Sequence, residues 1–222
     1  MNANGIFATP EIAELLKCAT RKRFKPRSVI LSEGQVSDAL YLIFSGSVTV
    51  SVEDPDGEEL ILTYLGPGEF FGELGLFDNA PRRSASVYAR TDCEVAALAY
   101  ARFHELIETQ PNLLLPLVGQ IARRLRGASQ KLGDLAFLDV AGRIARTLLD
   151  LACDSQAITH PDGMLVRITR EELGRLVNCS RKMAGRVLAD LQQQGLIDVH
   201  GKCIVVYGAA PPNVRVKQPL AE

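Results

Sequence analysis

The chain has 222 residues, room for one large domain or two small ones, and 47% of them are apolar, enough for packed cores. Net charge is −1, unevenly spread: residues 1–110 carry 10 basic and 16 acidic side chains, 111–139 carry 4 and 2, and 140–222 carry 11 and 8. Only the C-terminal part is therefore suited to approach phosphates, and its excess is too small to establish nucleic-acid binding alone. No apolar run approaches the ~18 residues of a membrane span, and the N-terminus lacks the basic-then-apolar pattern of a secretory signal, so a cytoplasmic protein away from membranes is expected.

From residue 28 to about 98 the pattern is of many short strands punctuated by Gly and Pro. Leu40-Tyr-Leu-Ile-Phe and Ser47-Val-Thr-Val-Ser-Val read as alternating strands. Glu53-Asp-Pro-Asp-Gly-Glu reads as a hairpin turn, followed by strands at Leu60-Ile-Leu-Thr-Tyr-Leu, Ala85-Ser-Val-Tyr-Ala and Cys93-Glu-Val-Ala-Ala-Leu. Regular short strands of this kind predict an antiparallel barrel or jelly roll.

Within this region lies Gly68-Glu-Phe-Phe-Gly72-Glu73-Leu74-Gly75-Leu76-Phe77, then Pro81-Arg82-Arg83-Ser84-Ala85. Glycines around one carboxylate, with an Arg-Ser pair about ten residues on, suit a small phosphorylated ligand. Backbone N–H groups and a guanidinium hold phosphate, and a carboxylate accepts from sugar hydroxyls. A tight turn plus a surface pair would explain the same residues.

Residues 112–137 change period. Val118, Ile121, Leu125, Ala128, Leu132 and Leu135 form an a/d seam, with Arg123, Arg124, Arg126, Gln130 and Lys131 off it. The segment reads either as a helix packed on its own domain or as a parallel two-helix dimer interface. The narrow two-position seam favours the second. Pro116 falls in the first turns, and Gly119, Gly127 and Gly133 make the helix dependent on packing. A further helix is expected from residue 140 to 153, followed by a loop at 155–163.

The densest signal is the run from 168 to 190. Thr169 caps a short helix with Leu173, Leu176 and Val177 on one face; Asn178-Cys179 turns the chain; Ser180 caps a second helix with Met183, Val187, Leu188 and Leu191 inward. This is helix-turn-helix patterning, with Arg181, Lys182 and Arg186 projecting from the end that enters a major groove. Residues 195–207 read as a hairpin turning at His200-Gly201-Lys202, a basic wing, and residues 210–222 as a flexible tail. The overall expectation is an α+β chain: a β-domain at 1–111, a helix and hinge at 112–138, and a winged helix-turn-helix at 139–209.

Cys18, Cys93, Cys153, Cys179 and Cys203 have no metal-ligand or redox spacing and read as reduced thiols. His104, His160 and His200 assemble neither a metal site nor a catalytic base. No nucleophile–base pair is present, so no catalytic residue and no cofactor are expected.

Taken in order, the motifs Gly46-Ser-Val48, Gly72-Glu-Leu-Gly-Leu-Phe77, Arg83-Ser-Ala85, Ala136-Phe-Leu-Asp-Val140, Thr159-His-Pro-Asp-Gly-Met164, Cys179-Ser-Arg181, Gly185-Arg186 and His200-Gly-Lys202 resemble the cAMP receptor protein (catabolite activator) family over residues 19–208. The resemblance implies a homodimeric transcription regulator gated by a cyclic nucleotide. It implies that Arg83 and Ser84 hold the cyclic phosphate, that Glu73 and the Gly72 backbone take the ribose hydroxyl, and that Leu62, Thr63 and Leu74 line the pocket. Ser129 of the partner's seam helix would approach the base. Two recognition helices would then sit about 34 Å apart on a palindrome.

Arg181 and Arg186 would donate to guanine, while Arg170, Ser180 and Lys202 would contact phosphates. The loop bearing Thr159, His160 and Gly163, and the basic cluster of Lys22 with Arg102, would meet RNA polymerase; the cluster also reads as a plain solvated face.

Two positions depart from the family pattern. Ala128 stands where cAMP-responsive members usually carry Thr, which leaves cGMP, a cyclic dinucleotide or no ligand as alternatives to cAMP. Lys182 stands where Glu is common, and an ammonium cannot accept from cytosine N4. A nucleotide-binding module that has lost DNA binding is the remaining alternative.

Overall fold

A computed structural model describes residues 10–77, 82–154 and 156–210. Pro81, Ser155 and, apart from Ala210, the expected tail lie outside the described residues. The chain divides into two compact units, residues 1–129 and 130–222.

Among the described residues, unit 1 has helix α1 (Pro10–Cys18) and eight strands: β1 (Thr20–Phe24), β2 (Val29–Leu31), β3 (Ala39–Ser45), β4 (Val48–Glu53), β5 (Glu59–Leu65), β6 (Phe70–Phe71), β7 (Ser86–Ala89) and β8 (Cys93–Ala99). They form two four-stranded antiparallel sheets ordered β1-β8-β3-β6 and β2-β7-β4-β5, as the jelly-roll expectation requires. Helix α2 (Leu74–Phe77) lies between β6 and β7; after β8 come α3 (Tyr100–Thr109), a 3₁₀ turn (Pro111–Leu113) and the long helix α4 (Leu114–Phe137), whose last residues belong to unit 2. No local pattern in the sequence marks α1, β1, β2, β6, α2 or α3.

The strand Leu40–Phe44 is not alternating, and its packing explains why. Leu40 and Leu42 join a core with Ile12, Leu15, Phe103, Leu113 and Leu117 on the helical side. Tyr41 and Ile43 join Val48, Leu65, Phe71 and Val87 on the other side. A strand buried on both faces has no solvent face to mark with polar residues. Strand β8 does the same, sending Ala96 and Leu98 one way and Cys93 and Val95 the other. Burial pushes the Cys93 thiol up to about 11, so it stays protonated at neutral pH.

Unit 2 holds α5 (Val140–Ala152), β9 (Ile158–His160), β10 (Gly163–Arg167), α6 (Arg170–Val177), α7 (Arg181–Gln193), β11 (Ile197–His200) and β12 (Cys203–Tyr207). The expected loop at 155–163 instead contains β9 and the turn into β10. The two strands pair and complete a sheet ordered β11-β12-β10-β9. The paired register holds only three residues of each strand, of which Ile158, Met164 and Leu165 are apolar, too short a run to show a period in sequence.

The helix ends are fixed by side chains. Asp139 accepts from Gly142 N–H at 2.8 Å and starts α5. Thr169 and Glu172 form a reciprocal capping box on α6. Ser180 Oγ accepts from Met183 N–H at 3.2 Å and starts α7. Between the two helices Asn178 adopts a left-handed conformation, φ 53°, which Asn tolerates better than most residues. A Cβ at Gly174 would lie 2.5 Å from Cys179 O, so the turn closes only because residue 174 has no side chain. The core of this unit joins Ile144, Leu148, Met164, Val166, Leu173, Val187, Leu188, Ile197 and Ile204.

Removing the capping oxygen with Thr169→Ala leaves the Glu172 N–H without its partner. The expected loss is about 1 kcal/mol of unit 2 stability, read as an earlier urea transition followed by circular dichroism.

Candidate functional site

Arg83 lies just before β7, and its side chain is only 4% exposed. Its Nη1 donates to Gly72 O at 2.9 Å and to Tyr100 Oη at 3.0 Å; its Nη2 donates to Ala39 O at 2.9 Å and Asp38 Oδ1 at 3.3 Å. Tyr100 Oη also donates to Gly72 O and lies 3.2 Å from Ser37 Oγ. The Arg83 Nε is buried with no partner. A buried guanidinium with one unused donor is a costly arrangement that an anion would complete.

Gly72 has φ +73°, and a Cβ there would lie 2.7 Å from Arg83 Nη1 and 3.2 Å from Ala39 O. Glycine is required both by the backbone conformation and by the guanidinium packed against it. Glu73 is buried, and its Oε1 accepts from Arg124 Nη1 at 2.8 Å. Arg124 Nη2 also donates to Phe70 O, and its Nε has no partner. Arg124 had read from the sequence merely as a residue off the seam. Its engagement with Glu73 follows from the facing of α4, which no local pattern records.

Of the remaining pocket candidates, Leu62, Leu74 and Ser84 are exposed and Thr63 half-buried. Ala128 and Ser129 are both exposed on α4, where Ser129 Oγ donates back to Leu125 O at 3.0 Å. The seam divides. Ile121 packs on the unit 1 core, whereas Val118, Leu125, Leu132 and Leu135 are all more than half exposed.

In unit 2, Arg170, Arg181, Lys182, Gly185, Arg186 and Ala189 line one open groove. Four of these six carry positive charge, and none is a carboxylate. Ser180 at the start of α7 and Lys202 at the β11–β12 turn are exposed as well. Thr159, His160 and Gly163 flank the β9–β10 turn. In the β1 cluster, Arg21 and Arg23 each bond Glu94 at 3.0 Å. Hydrogen bonds from Arg23 and Arg21 hold the Glu94 carboxyl below the usual carboxylate range. Lys22 is exposed and has no ion pair among the described residues, and Arg102 pairs with Glu105. No cluster of metal-ligand type occurs among the described residues, and none of their helices is long and apolar enough to cross a membrane.

The chain matches a cyclic nucleotide-binding domain over residues 21–110 and a Crp-like helix-turn-helix domain over residues 142–207. It is 50% identical over 206 residues to the cAMP-activated global transcriptional regulator Vfr of Pseudomonas aeruginosa, covering 90% of this chain and 96% of that protein. It is 51% identical over 186 residues to the cAMP-activated global transcriptional regulator CRP of Salmonella typhimurium, covering 84% and 89% respectively. The chain belongs to the cAMP receptor protein (CRP) family.

Among solved structures it resembles the c-di-GMP-responsive global regulator CLP of Xanthomonas campestris, with a TM-score of 0.83 and 42% identity over 89% of this chain and 98% of that one. As in the CRP family, it pairs a cyclic nucleotide-binding domain with a DNA-binding helix-turn-helix and serves as a transcriptional regulator, not an enzyme. The nucleotide-domain match includes Gly72, Glu73, Arg83 and Ser84, and the helix-turn-helix match includes the α6–α7 pair and the wing.

Gly72→Ala should force the strained φ and press a methyl group into Arg83. The expected cost is about 1–3 kcal/mol in unit 1, measured as a lower thermal midpoint without added ligand.

Proposed function

We propose that this protein is a homodimeric transcriptional regulator switched by cAMP, with residues 1–111 as the nucleotide-binding domain, 112–138 as the dimerisation helix and hinge, and 139–209 as the DNA-binding domain. The observation that carries this reading is the buried Arg83 guanidinium closed on Gly72, with its Nε unpartnered.

The cyclic phosphate accepts from Arg83 and from Ser84 at the loop. A ribose hydroxyl donates to Glu73, beside the Gly72 backbone, and so shares that carboxylate with Arg124. Leu62, Thr63 and Leu74 bound the sugar and base. The partner subunit's Ser129 reaches the base across the dimer, so one ligand touches two chains. A ligand that binds only one seam register shifts the population toward it, and moving a 1:99 equilibrium to 99:1 needs a preference of about 10⁴-fold. Paired seams also remove the exposed Val118, Leu125, Leu132 and Leu135 from water.

The recognition helix α7 presents Arg181 and Arg186 to guanine edges, with Arg170, Ser180 and Lys202 on phosphates. Thr159, His160 and Gly163 at the β9–β10 turn form one RNA polymerase contact, and Lys22 with Arg102 a second. Such a regulator works in the cytoplasm.

A second reading of the effector follows from Ala128, which offers no hydroxyl to an adenine edge, and from the likeness to a c-di-GMP-responsive regulator. In that reading the same phosphate and ribose contacts hold cGMP or a cyclic dinucleotide.

Calorimetry with cAMP, cGMP and c-di-GMP separates these readings, and cAMP is expected to bind. Arg83→Leu should abolish binding of whichever nucleotide the wild type takes. Wild-type protein giving no heat with any of the three refutes the switch. Lys182 donates but does not accept, so selection from a random-site pool should lose the cytosine preference that a carboxylate at this position supplies. Lys202→Ala should weaken binding to all sequences alike and lower the slope of log affinity against log salt by about one.

A further inference from the structure

Asp38 brings a second acid to the candidate ligand site. It lies in the β2–β3 connection, and its side chain is 78% exposed, against 4% for the Arg83 side chain it meets. Its Oδ1 accepts from Arg83 Nη2 at 3.3 Å, and the Ala39 carbonyl accepts from the same nitrogen at 2.9 Å.

Arg83 Nε, the donor left without a partner, shares one edge of the guanidinium with Nη2. A phosphate holds a guanidinium most strongly through two parallel N–H groups. On this edge those groups belong to Nε and Nη2. Nε is open, but Nη2 already serves two acceptors. On the neighbouring edge Nη1 is engaged as well, by Gly72 O and Tyr100 Oη. An anion that forks onto Nε and Nη2 must therefore displace either Ala39 O or Asp38 Oδ1.

How each group is held decides which one yields. Ala39 opens β3 and pairs with Ala99 of β8, so its main chain belongs to the sheet. Asp38 has its own carbonyl fixed by Tyr100 N–H at 2.9 Å, which leaves only the carboxylate to move. That carboxylate is exposed and loses little by turning to water. Arg83 cannot follow it. Its N–H donates to Gln35 O at 2.8 Å, its carbonyl accepts from Gly34 N–H at 2.9 Å, and its guanidinium carbon lies 5.8 Å from the ring centres of Tyr41 and of Tyr100.

The sign of the effect follows. Gly72 O, Ala39 O and Tyr100 Oη orient the guanidinium without any help from Asp38. The carboxylate adds an occupied donor and a negative charge that repels an arriving anion. We propose that Asp38 is an internal competitor for the anion site, occupying Nη2 of Arg83 until a phosphate displaces it. It thereby sets the nucleotide concentration at which the site fills. This rests on the cyclic-nucleotide reading of that site.

The test titrates the full-length chain with cAMP by calorimetry, as wild type, Asp38→Asn and Asp38→Ala. Asp92→Asn serves as a control for net charge, since Asp92 is an exposed acid of unit 1 that pairs with Lys25. Both Asp38 variants are expected to bind cAMP about three- to tenfold tighter than wild type, with Asp92→Asn within about twofold of it. Unchanged or weaker binding in the Asp38 variants overturns the competition and leaves the nucleotide reading standing. An equal gain in Asp92→Asn assigns the effect to net charge and overturns the competition too. A wild type that binds no cyclic nucleotide overturns both.

Amide hydrogen exchange of the wild type gives a readout that needs no variant. The Tyr100 N–H, bonded to Asp38 O, is expected to be equally protected with and without cAMP, because only a side chain is exchanged. Loss of that protection on cAMP addition would put the movement in the main chain and overturn the exchange of carboxylate for phosphate.

Discussion

Two guanidinium groups close on one dipeptide. Arg83 reaches the Gly72 carbonyl from the edge of β7, and Arg124 reaches the Glu73 carboxylate from α4. Burying charge is costly unless every donor finds a partner, and here each guanidinium keeps one buried Nε unpaired. Two cations meet one buried carboxylate, since Asp38, which also touches Arg83, is largely exposed. The local balance is therefore positive and enclosed, the physical basis of the proposed anion site.

That constraint explains much of the surrounding structure. Residue 72 must be glycine because Arg83 occupies the space of a side chain. Tyr100 at the start of α3 accepts from the guanidinium through its hydroxyl, and Ser37 in the β2–β3 connection meets that hydroxyl in turn. Strand β3 runs continuously apolar because one face packs on the helices and the other closes the space between the sheets. The sheet interior thus supports the candidate site around Arg83, and the helical side carries the grip of Gln120 and Arg124.

Unit 2 follows a different logic, set by its helix ends. Thr169, Ser180 and Asp139 each satisfy a first-turn N–H, and the absence of a side chain at Gly174 lets the α6–α7 turn close. With the turn fixed, the inward residues Ala184, Val187, Leu188 and Leu191 leave Arg181, Lys182 and Arg186 on the opposite, open face. The basic face is a by-product of the same periodicity that builds the core.

What was legible in the sequence was whatever has a local cause. Caps, the turn at Asn178, hairpin turns and the helix-turn-helix period all act within a few residues, and the structure has them where the pattern puts them, except that Met183, expected inward, is 37% exposed and Ala184, one position on, takes the buried place on the helix face shared with Val187, Leu188 and Leu191. The glycine cassette and Arg83 stand out in the sequence as candidates for phosphate capture, and the fold brings Arg83 to the Gly72 carbonyl at 2.9 Å. The paired strands β9 and β10 escaped because so short a hairpin carries no period, and the run at 40–44 was misread as alternating because burial on two faces removes the alternation.

The sequence by itself determined the jelly-roll and winged-helix architecture, the family and the candidate ligand and DNA-reading residues, though not every short strand and helix. Only the tertiary structure decided that Ile121 faces its own core while Leu125 does not. It alone decided that Arg124 and Gln120, fifty-one and fifty residues from their partners Glu73 and Phe70, grip the ligand cassette. The facing of a helix about its own axis is set by what it packs against, and that information is spread over strands far away in the chain.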